Sequence, residues 1–340
     1  MAGFGHIAVH GHIPAYHNHE NVEIVAVCDR DLGRKEICAE LLPQARFYSS
    51  LEELLLQEVQ LDFLDIAVPP NMHMEYICLA LQHNMHVFCE KPLVLEKKDL
   101  QKIQTLLQQN KNKVLFTVHN WKFAPIFMQT DQWLSQKLIG SVQEIQYQVL
   151  RTQPSIAVAN NLTQINWRLD PTVAGGGILM DHGWHAFYKV CDWMGVLPQW
   201  VECRLEKRKY QDFLVEDTAS CQFGFGDGRV GTVFFTWAGS ERKNYVMLRG
   251  QSGSIEIQDD TLILTSEKSN QKLHFKESLS QGSHHADWYS LTLNKFFEEI
   301  QNPVFQGCNF REASTVFQML ESARISAQQN GKQVEIKNSL

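Results

Sequence analysis

Over the first 120 positions the apolar residues come in short runs, separated by stretches whose apolar positions recur every three or four residues. The runs Val22–Cys28, Phe63–Val68, His86–Cys89 and Val114–Val118 predict strands. Helices are predicted between them over Leu51–Glu58, His73–His83 and Glu96–Asn110, the first opened by Ser50 and Glu53 as a capping box. Strands alternating with helices specify βαβ units, and hence an α/β domain with a doubly wound, Rossmann-type parallel sheet. Beyond residue 120 the pattern changes. A helix over Pro125–Leu138 precedes long alternating runs at Val142–Thr152, Trp200–Lys207, Thr218–Phe223 and Val230–Trp237, then shorter runs between Tyr245 and Phe275. Gly226-Asp227-Gly228 is a hairpin signal. These runs predict an α+β domain with a large, mostly antiparallel sheet, followed by helices over Ala286–Gln301 and Phe310–Gln329, the latter opened by Asn309 and Glu312 as a second capping box. The domains are expected at 1–120 and 121–340.

In a doubly wound sheet, ligands bind at the carboxyl ends of the strands. Gly3-Phe4-Gly5-His6-Ile7-Ala8 fits G-x-G-x-x-G/A, in which glycines allow a tight turn and let a pyrophosphate approach backbone N–H groups at a helix start. Asp29 ends the next predicted strand, where a carboxylate can accept from a ribose hydroxyl. That favours NAD, since a carboxylate repels a 2′-phosphate; the neighbouring Arg30 can pair with that phosphate and keeps NADP possible. Only Met1 and Ala2 precede Gly3. The first strand is therefore expected to be truncated, leaving its two neighbours without ladder partners, and the natural chain to start upstream.

Composition narrows the class. A chain of 340 residues suits two domains, and 44% hydrophobic with 20% charged residues is ordinary for a globular protein. A net charge of −7 argues against nucleic acid as partner, and no apolar run is long enough to span a bilayer. The eight cysteines form no C-x-x-C pair and read as reduced thiols, so a cytoplasmic protein is expected. The histidines at 10, 12, 17 and 19 lack a second cluster with ligand spacing, and no metal is expected.

Two features carry chemistry. Lys91, in Glu90-Lys91-Pro92, follows a short buried strand and either polarises a substrate oxygen or is a surface lysine paired with Glu90. Asp181 and His185 lie four apart in a helix-period run behind Gly175-Gly176-Gly177, so they share one helix face. Such a pair is either an exposed ion pair or an imidazole oriented by a carboxylate for proton transfer.

Pro-Pro-Asn-x-His at 69–73, Glu-Lys-Pro at 90–92 and Gly-Gly-Gly-x-x-x-Asp-x-Gly-x-His at 175–185, in this order, resemble the Gfo/Idh/MocA oxidoreductases, which include inositol dehydrogenases and glucose–fructose oxidoreductases. The resemblance spans essentially the whole chain. It implies that Lys91 contacts substrate, that Asp181 and His185 form a polar dyad, and that Pro69, Asn71, His73 and Glu90 lie along the cofactor near the nicotinamide. Trp167 and Arg168 would stand near a cleft, against cofactor or substrate. Trp121-Lys122, after His119-Asn120, departs from an arginine-rich pair common in the family and bears on substrate identity. The implied activity is NAD(P)-dependent hydride transfer from a secondary hydroxyl of a sugar, cyclitol or related polyol, with His185 as base and Lys91 steadying the alkoxide. Two alternatives on the same scaffold are an NAD-dependent glycoside hydrolase and a non-catalytic NAD-binding regulator. A large sheet with one face to cover suggests a homo-oligomer formed through the C-terminal sheet.

Overall fold

A computed structural model describes residues 1–155, 166–282 and 284–337. The chain divides into two units, Met1–Asn120 with His284–Ala313, and Trp121–Ser283 with Ser314–Leu340. The segment 284–313, expected within the second domain, groups with the first for a packing reason. Tyr289, Leu293 and Phe296 of the helix Ala286–Gln301 are buried in one apolar cluster with Phe4, Ile13, Phe88 and Phe116.

In the first unit, strands β1 (Ala26–Cys28) and β2 (Arg46–Tyr48) pair in parallel, as do β3 (Phe63–Ile66), β4 (His86–Cys89) and β5 (Leu115–Thr117). Ala2 bridges the two groups, in parallel with Cys28 and Ile66. Cys28 N donates to Met1 O at 2.9 Å and Gly3 N to Cys28 O at 2.8 Å; on the other side Ala2 N donates to Asp65 O at 2.7 Å and Ala67 N to Ala2 O at 2.8 Å. The expectation of unpartnered neighbours is corrected here, because Met1–Gly3 supply the ladder at the carboxyl ends of β1 and β3. Residues 6–17 are helical, π-helical over Ala8–His12 and α-helical over Ile13–His17 (α1). The other helices are α2 (Arg34–Leu41), α3 (Leu51–Gln57), α4 (His73–Gln82) and α5 (Lys97–Gln109). Ser50 caps α3, its side chain accepting from Glu53 N at 3.1 Å, while the Glu53 carboxylate reaches back to Ser49 N at 3.0 Å.

The second capping box does not form. The helix Cys308–Gln328 starts before Asn309, whose side chain instead clamps Thr117 of β5, accepting from its N–H at 2.6 Å and donating to its carbonyl at 3.0 Å. Glu312 lies 2.8 Å from His119 Nδ1.

The second unit opens with α6 (Pro125–Ser135) and is built on a nine-stranded sheet. Its strands are β6 (Val142–Leu150), β7 (Trp200–Glu206), β8 (Thr218–Gly224), β9 (Val230–Thr236), β10 (Lys243–Gly250), β11 (Gly253–Gln258), β12 (Thr261–Ser266), β13 (Asn270–His274) and β14 (Val334–Glu335). The order is β13-β12-β11-β10-β6-β9-β8-β7-β14, antiparallel throughout except for the parallel pair β6–β9. The turn at 226–228 joins β8 to β9 as predicted, with Gly228 at φ +84°. A short helix α7 (Pro171–Ala174) leads into α8 (Ile178–Met194), which packs on β6, β8 and β9. The alternation of the strands explains this contact: Ile145, Val149, Phe223, Val233 and Phe235 are buried on one face, and Phe187 of α8 meets Phe223 edge-on at 4.8 Å. No helix among the described residues is long and apolar enough to cross a membrane.

Candidate active site

The chain turns sharply after the central strand position. Gly3 has φ +90°, and a Cβ there would come within 2.6 Å of Ala67 O, so both backbone and space demand glycine. A Cβ on Gly5 would meet nothing within 4 Å, leaving the main chain open where the helix begins with His6 and Ile7. First-turn N–H groups lack intrahelical acceptors and make a ready anion site. Phe4 contributes backbone only, since its ring is wholly buried. Its N–H donates to Asp29 Oδ2 at 2.7 Å, and Asp31 N–H donates to Oδ1 at 2.8 Å, which fixes the carboxylate at the end of β1. Arg30 beside it is exposed. An open glycine turn, a helix start and an oriented carboxylate fit a dinucleotide: Gly3, Gly5, His6 and Ile7 would take the pyrophosphate and Asp29 a ribose.

The loops after β3 and β4 form a second group. Pro70–Met72 make a 3-10 turn with Pro69 before it, Asn71 is exposed and Pro69 half-buried. His73 is completely buried; its Nδ1 lies 2.8 Å from Pro92 O and its Nε2 3.0 Å from Val68 O, and burial lowers its pKa. It ties the two loops together through their backbones and exposes no surface of its own. Lys91, half-buried, precedes Pro92 through a cis peptide bond.

Beneath Lys91 lies a buried ionic network that sequence reasoning missed. The His12 imidazole bridges two carboxylates, with Nδ1 2.9 Å from Asp65 Oδ2 and Nε2 3.1 Å from Glu90 Oε1. Tyr16 donates to Asp65 Oδ2 at 2.9 Å and Tyr289 to Glu90 Oε1 at 2.5 Å, while Glu90 Oε2 accepts from the Lys91 N–H at 3.0 Å. Burial disfavours the charged form of His12, but Asp65 and then Glu90 overcome it and raise its pKa to about 10. Burial would likewise raise the Glu90 carboxyl, yet the hydrogen bond and charge of His12, helped by Tyr289, bring it down to about 2. The only sequence signal was Asp65 itself, one carboxylate inside an otherwise apolar strand.

In the second unit, Asp181 and His185 both lie on α8. His185 is 4% exposed; its Nδ1 is 3.1 Å from the Tyr188 hydroxyl, and the Trp121 ring stacks on it at 5.1 Å. Asp181 Oδ2 is 3.7 Å from His182 Nε2. The three glycines have a local purpose. Gly175 ends α7 at φ +80°, and a Cβ on Gly177 would collide with the carbonyl of Glu216. Glu216 Oε1 accepts from Gly177 N at 3.0 Å and Leu179 N at 3.1 Å, so this carboxylate, its pKa raised by burial, caps α8. Trp167 and Arg168 form a 3-10 turn, the guanidinium lying over the indole at 4.4 Å.

Comparison with known proteins matches residues 1–118 to "Oxidoreductase family, NAD-binding Rossmann fold" and residues 127–256 to "GFO/IDH/MocA C-terminal domain". Oxidoreductase P35 of Formosa agariphila is 24% identical over 94% of this chain and 96% of its own length. Levoglucosan dehydrogenase of Pseudarthrobacter phenanthrenivorans is 24% identical over 65% of this chain and 62% of its own length. D-glucoside 3-dehydrogenase of Escherichia coli is 27% identical over 54% of this chain and 50% of its own length. Among solved structures, levoglucosan dehydrogenase with NADH and L-sorbose superposes with a TM-score of 0.82 at 17% identity, covering 99% of this chain and 98% of that one. An Agrobacterium radiobacter oxidoreductase with NAD+, L-tartaric acid and magnesium gives 0.83 at 18% identity, over 100% and 98%.

Proposed function

Because this chain belongs to the Gfo/Idh/MocA family of NAD-binding oxidoreductases, we propose that it oxidises a secondary hydroxyl of a sugar, cyclitol or related polyol, with NAD preferred over NADP. The observation that carries the reading is the Glu90-Lys91-Pro92 turn at the carboxyl end of β4, in the same unit as the glycine turn and the oriented Asp29. Two relatives bear the names levoglucosan dehydrogenase and D-glucoside 3-dehydrogenase, which favours a pyranose or its close analogue among polyols.

When bound, the nicotinamide accepts the hydride. The chain's own residues have three tasks. Gly3, Gly5, His6, Ile7 and Asp29 bind the dinucleotide, Phe4 orienting Asp29, with Pro69, Asn71, Trp167 and Arg168 as further contacts to cofactor or substrate. His73 shapes the adjoining loops. The Lys91 ammonium donates to the reacting hydroxyl and stabilises the alkoxide as it forms. His185 takes the proton at Nε2 while its Nδ1–H donates to Tyr188, and Asp181, one helical turn earlier, favours the imidazolium that results. The preference for NAD rests on Asp29. Free cysteines throughout suit a reducing compartment, and we keep a cytoplasmic setting and a homo-oligomer through the large sheet as parts of this reading.

The test is a panel of levoglucosan, methyl glucosides, free hexoses and inositols with NAD+ and with NADP+, read by absorbance of the reduced cofactor. Turnover of at least one polyol, faster with NAD+, is expected. Tight NAD+ binding with no turnover of any polyol would overturn the reading in favour of a regulatory protein, and release of a sugar without net NADH would favour a hydrolase.

A further inference from the structure

We infer that His12 is a positioning residue for Lys91: by bridging Asp65 and Glu90 it fixes the carboxylate that holds the Lys91 backbone. This rests on the role proposed for Lys91 above. The geometry converges on one atom. Glu90 Oε1 is engaged by His12 Nε2 and the Tyr289 hydroxyl, which leaves Oε2 turned to the Lys91 N–H at 3.0 Å. The network therefore sets the orientation of the Lys91 residue itself, where a surface ion pair to its side chain would not.

Two further features serve the same end. The helix that starts at the glycine turn departs from α geometry over Ala8–His12, and this π stretch ends on His12. An extra residue per turn rotates the side chains that follow, and such insertions persist chiefly where function needs them. Next to it, Gly11 admits the Tyr289 ring, since a Cβ there would lie 2.9 Å from Tyr289 Cε2. Tyr16 donates to Asp65 Oδ2, the oxygen nearest His12 Nδ1, and helps hold the carboxylate that anchors His12 to the strand beside β4.

Energetics argue against a purely structural staple. His12 is 0%, Asp65 3% and Glu90 8% exposed. A well-packed apolar cluster would stabilise the sheet as well as or better than this buried ionic set. What apolar side chains cannot do is accept the Lys91 N–H at a fixed place. The His12 ring already lies among aromatic rings, edge-on to Phe88 at 5.6 Å and tilted against Tyr289 at 4.6 Å, so the site could have been filled that way.

The test uses the full chain with saturating NAD+. Trace acetylation of lysines by acetic anhydride, quantified by peptide mass spectrometry, reports Lys91 against the exposed Lys98 as internal standard. In His12→Asn the Lys91:Lys98 ratio is expected to rise about threefold as the turn opens locally, with NAD+ affinity unchanged. Tyr289→Phe keeps the ring and removes one donor to Glu90; it is expected to raise the ratio by a smaller factor and carries the test if His12→Asn does not fold. A folded His12→Asn or Tyr289→Phe protein with wild-type Lys91 labelling overturns the inference, whether or not any polyol is turned over.

With a polyol from the panel, a double-mutant cycle separates positioning from stability. His12→Asn should lower kcat about tenfold at unchanged KM for NAD+, and add nothing when combined with Lys91→Met. Equal losses in the wild-type and Lys91→Met backgrounds would show that His12 acts independently of Lys91 and overturn the inference; labelling decides the matter where turnover is absent.

Discussion

Gly177 and Glu216 interlock at the start of α8: the Glu216 carboxylate accepts the Gly177 N–H at 3.0 Å while its carbonyl fills the space a side chain at 177 would need. Gly177→Ala is therefore expected to destabilise the second unit by about 3 kcal/mol, the upper range for overpacking a tight site. Urea denaturation followed by Trp fluorescence measures it. A loss below about 1 kcal/mol would mean that the Glu216 segment gives way easily.

The pKa values of His12 and Glu90 fix a pH window for the first unit's stability. His12 rises from 6.5 to about 10 on folding, so its contribution is complete below pH 6.5 and is lost as pH climbs through 10. Glu90 falls from 4.5 to about 2, so its contribution is complete above pH 4.5 and is lost as pH falls towards 2. Both describe one shared interaction, and they are not summed. The stability difference between wild type and His12→Asn should thus be greatest from pH 4.5 to 6.5 and shrink towards both extremes. Urea midpoints taken inside that window and well to either side of it test this, and a difference that is the same inside and outside the window would contradict the ionic network.

Lys91→Met is expected to lower kcat about 10²-fold, as loss of one donor to a developing oxyanion does. Affinity for NAD+, measured by intrinsic fluorescence, should stay within a factor of two or so, since the dinucleotide rests on the glycine turn. Wild-type turnover would remove Lys91 from the chemistry.

His185→Asn should cost about 10²-fold or more in kcat, the range for a general base. Tyr188→Phe removes the hydroxyl that His185 Nδ1 faces at 3.1 Å while keeping the ring. It is expected to displace the limb of the pH–rate profile that reports His185, with a smaller loss at the optimum. An unshifted profile would take Tyr188 out of the mechanism.

Asp29→Ala should weaken NAD+ and narrow the gap to NADP+, because the repulsion of a 2′-phosphate goes with the carboxylate and the exposed Arg30 remains. Titration with both dinucleotides is the measurement, and an unchanged ratio would place discrimination elsewhere.

Motifs whose logic is local were legible in the sequence. The glycine turn, Asp29 at a strand end, the Ser50 cap and the hairpin at 226–228 each depend on residues a few positions apart, and each stands where its spacing indicates. What escaped was long-range. Asn309 and Glu312 have the spacing of a capping box, but Thr117 and His119 claim their side chains from nearly two hundred residues away. Gly177 makes room for Glu216, which no window around it contains. His12, Asp65, Glu90 and Tyr289 come from the π stretch, β3, the turn after β4 and the helix Ala286–Gln301, and meet only in the folded unit. The pairing of Met1–Gly3 with the chain near Cys28 and Ile66 is likewise long-range, and no apolar run announces it.

The centre of the large sheet carries a consequence for how the chain is made. β6 is bordered by β10 on one side and, in parallel, by β9 on the other, and both are synthesised long after it. Its row of Ile145, Tyr147 and Val149 leaves the ribosome with neither neighbour in existence. The helix that covers that row, α8, precedes in the chain the strands that flank it, and so is available to cover β6 before β9 and β10 are made. Late closure by distant strands is slow and exposes an unpaired edge in the meantime. Substitutions that loosen α8 against β6 are thus expected to reduce the yield of folded protein more than they reduce the stability of the molecules that succeed in folding.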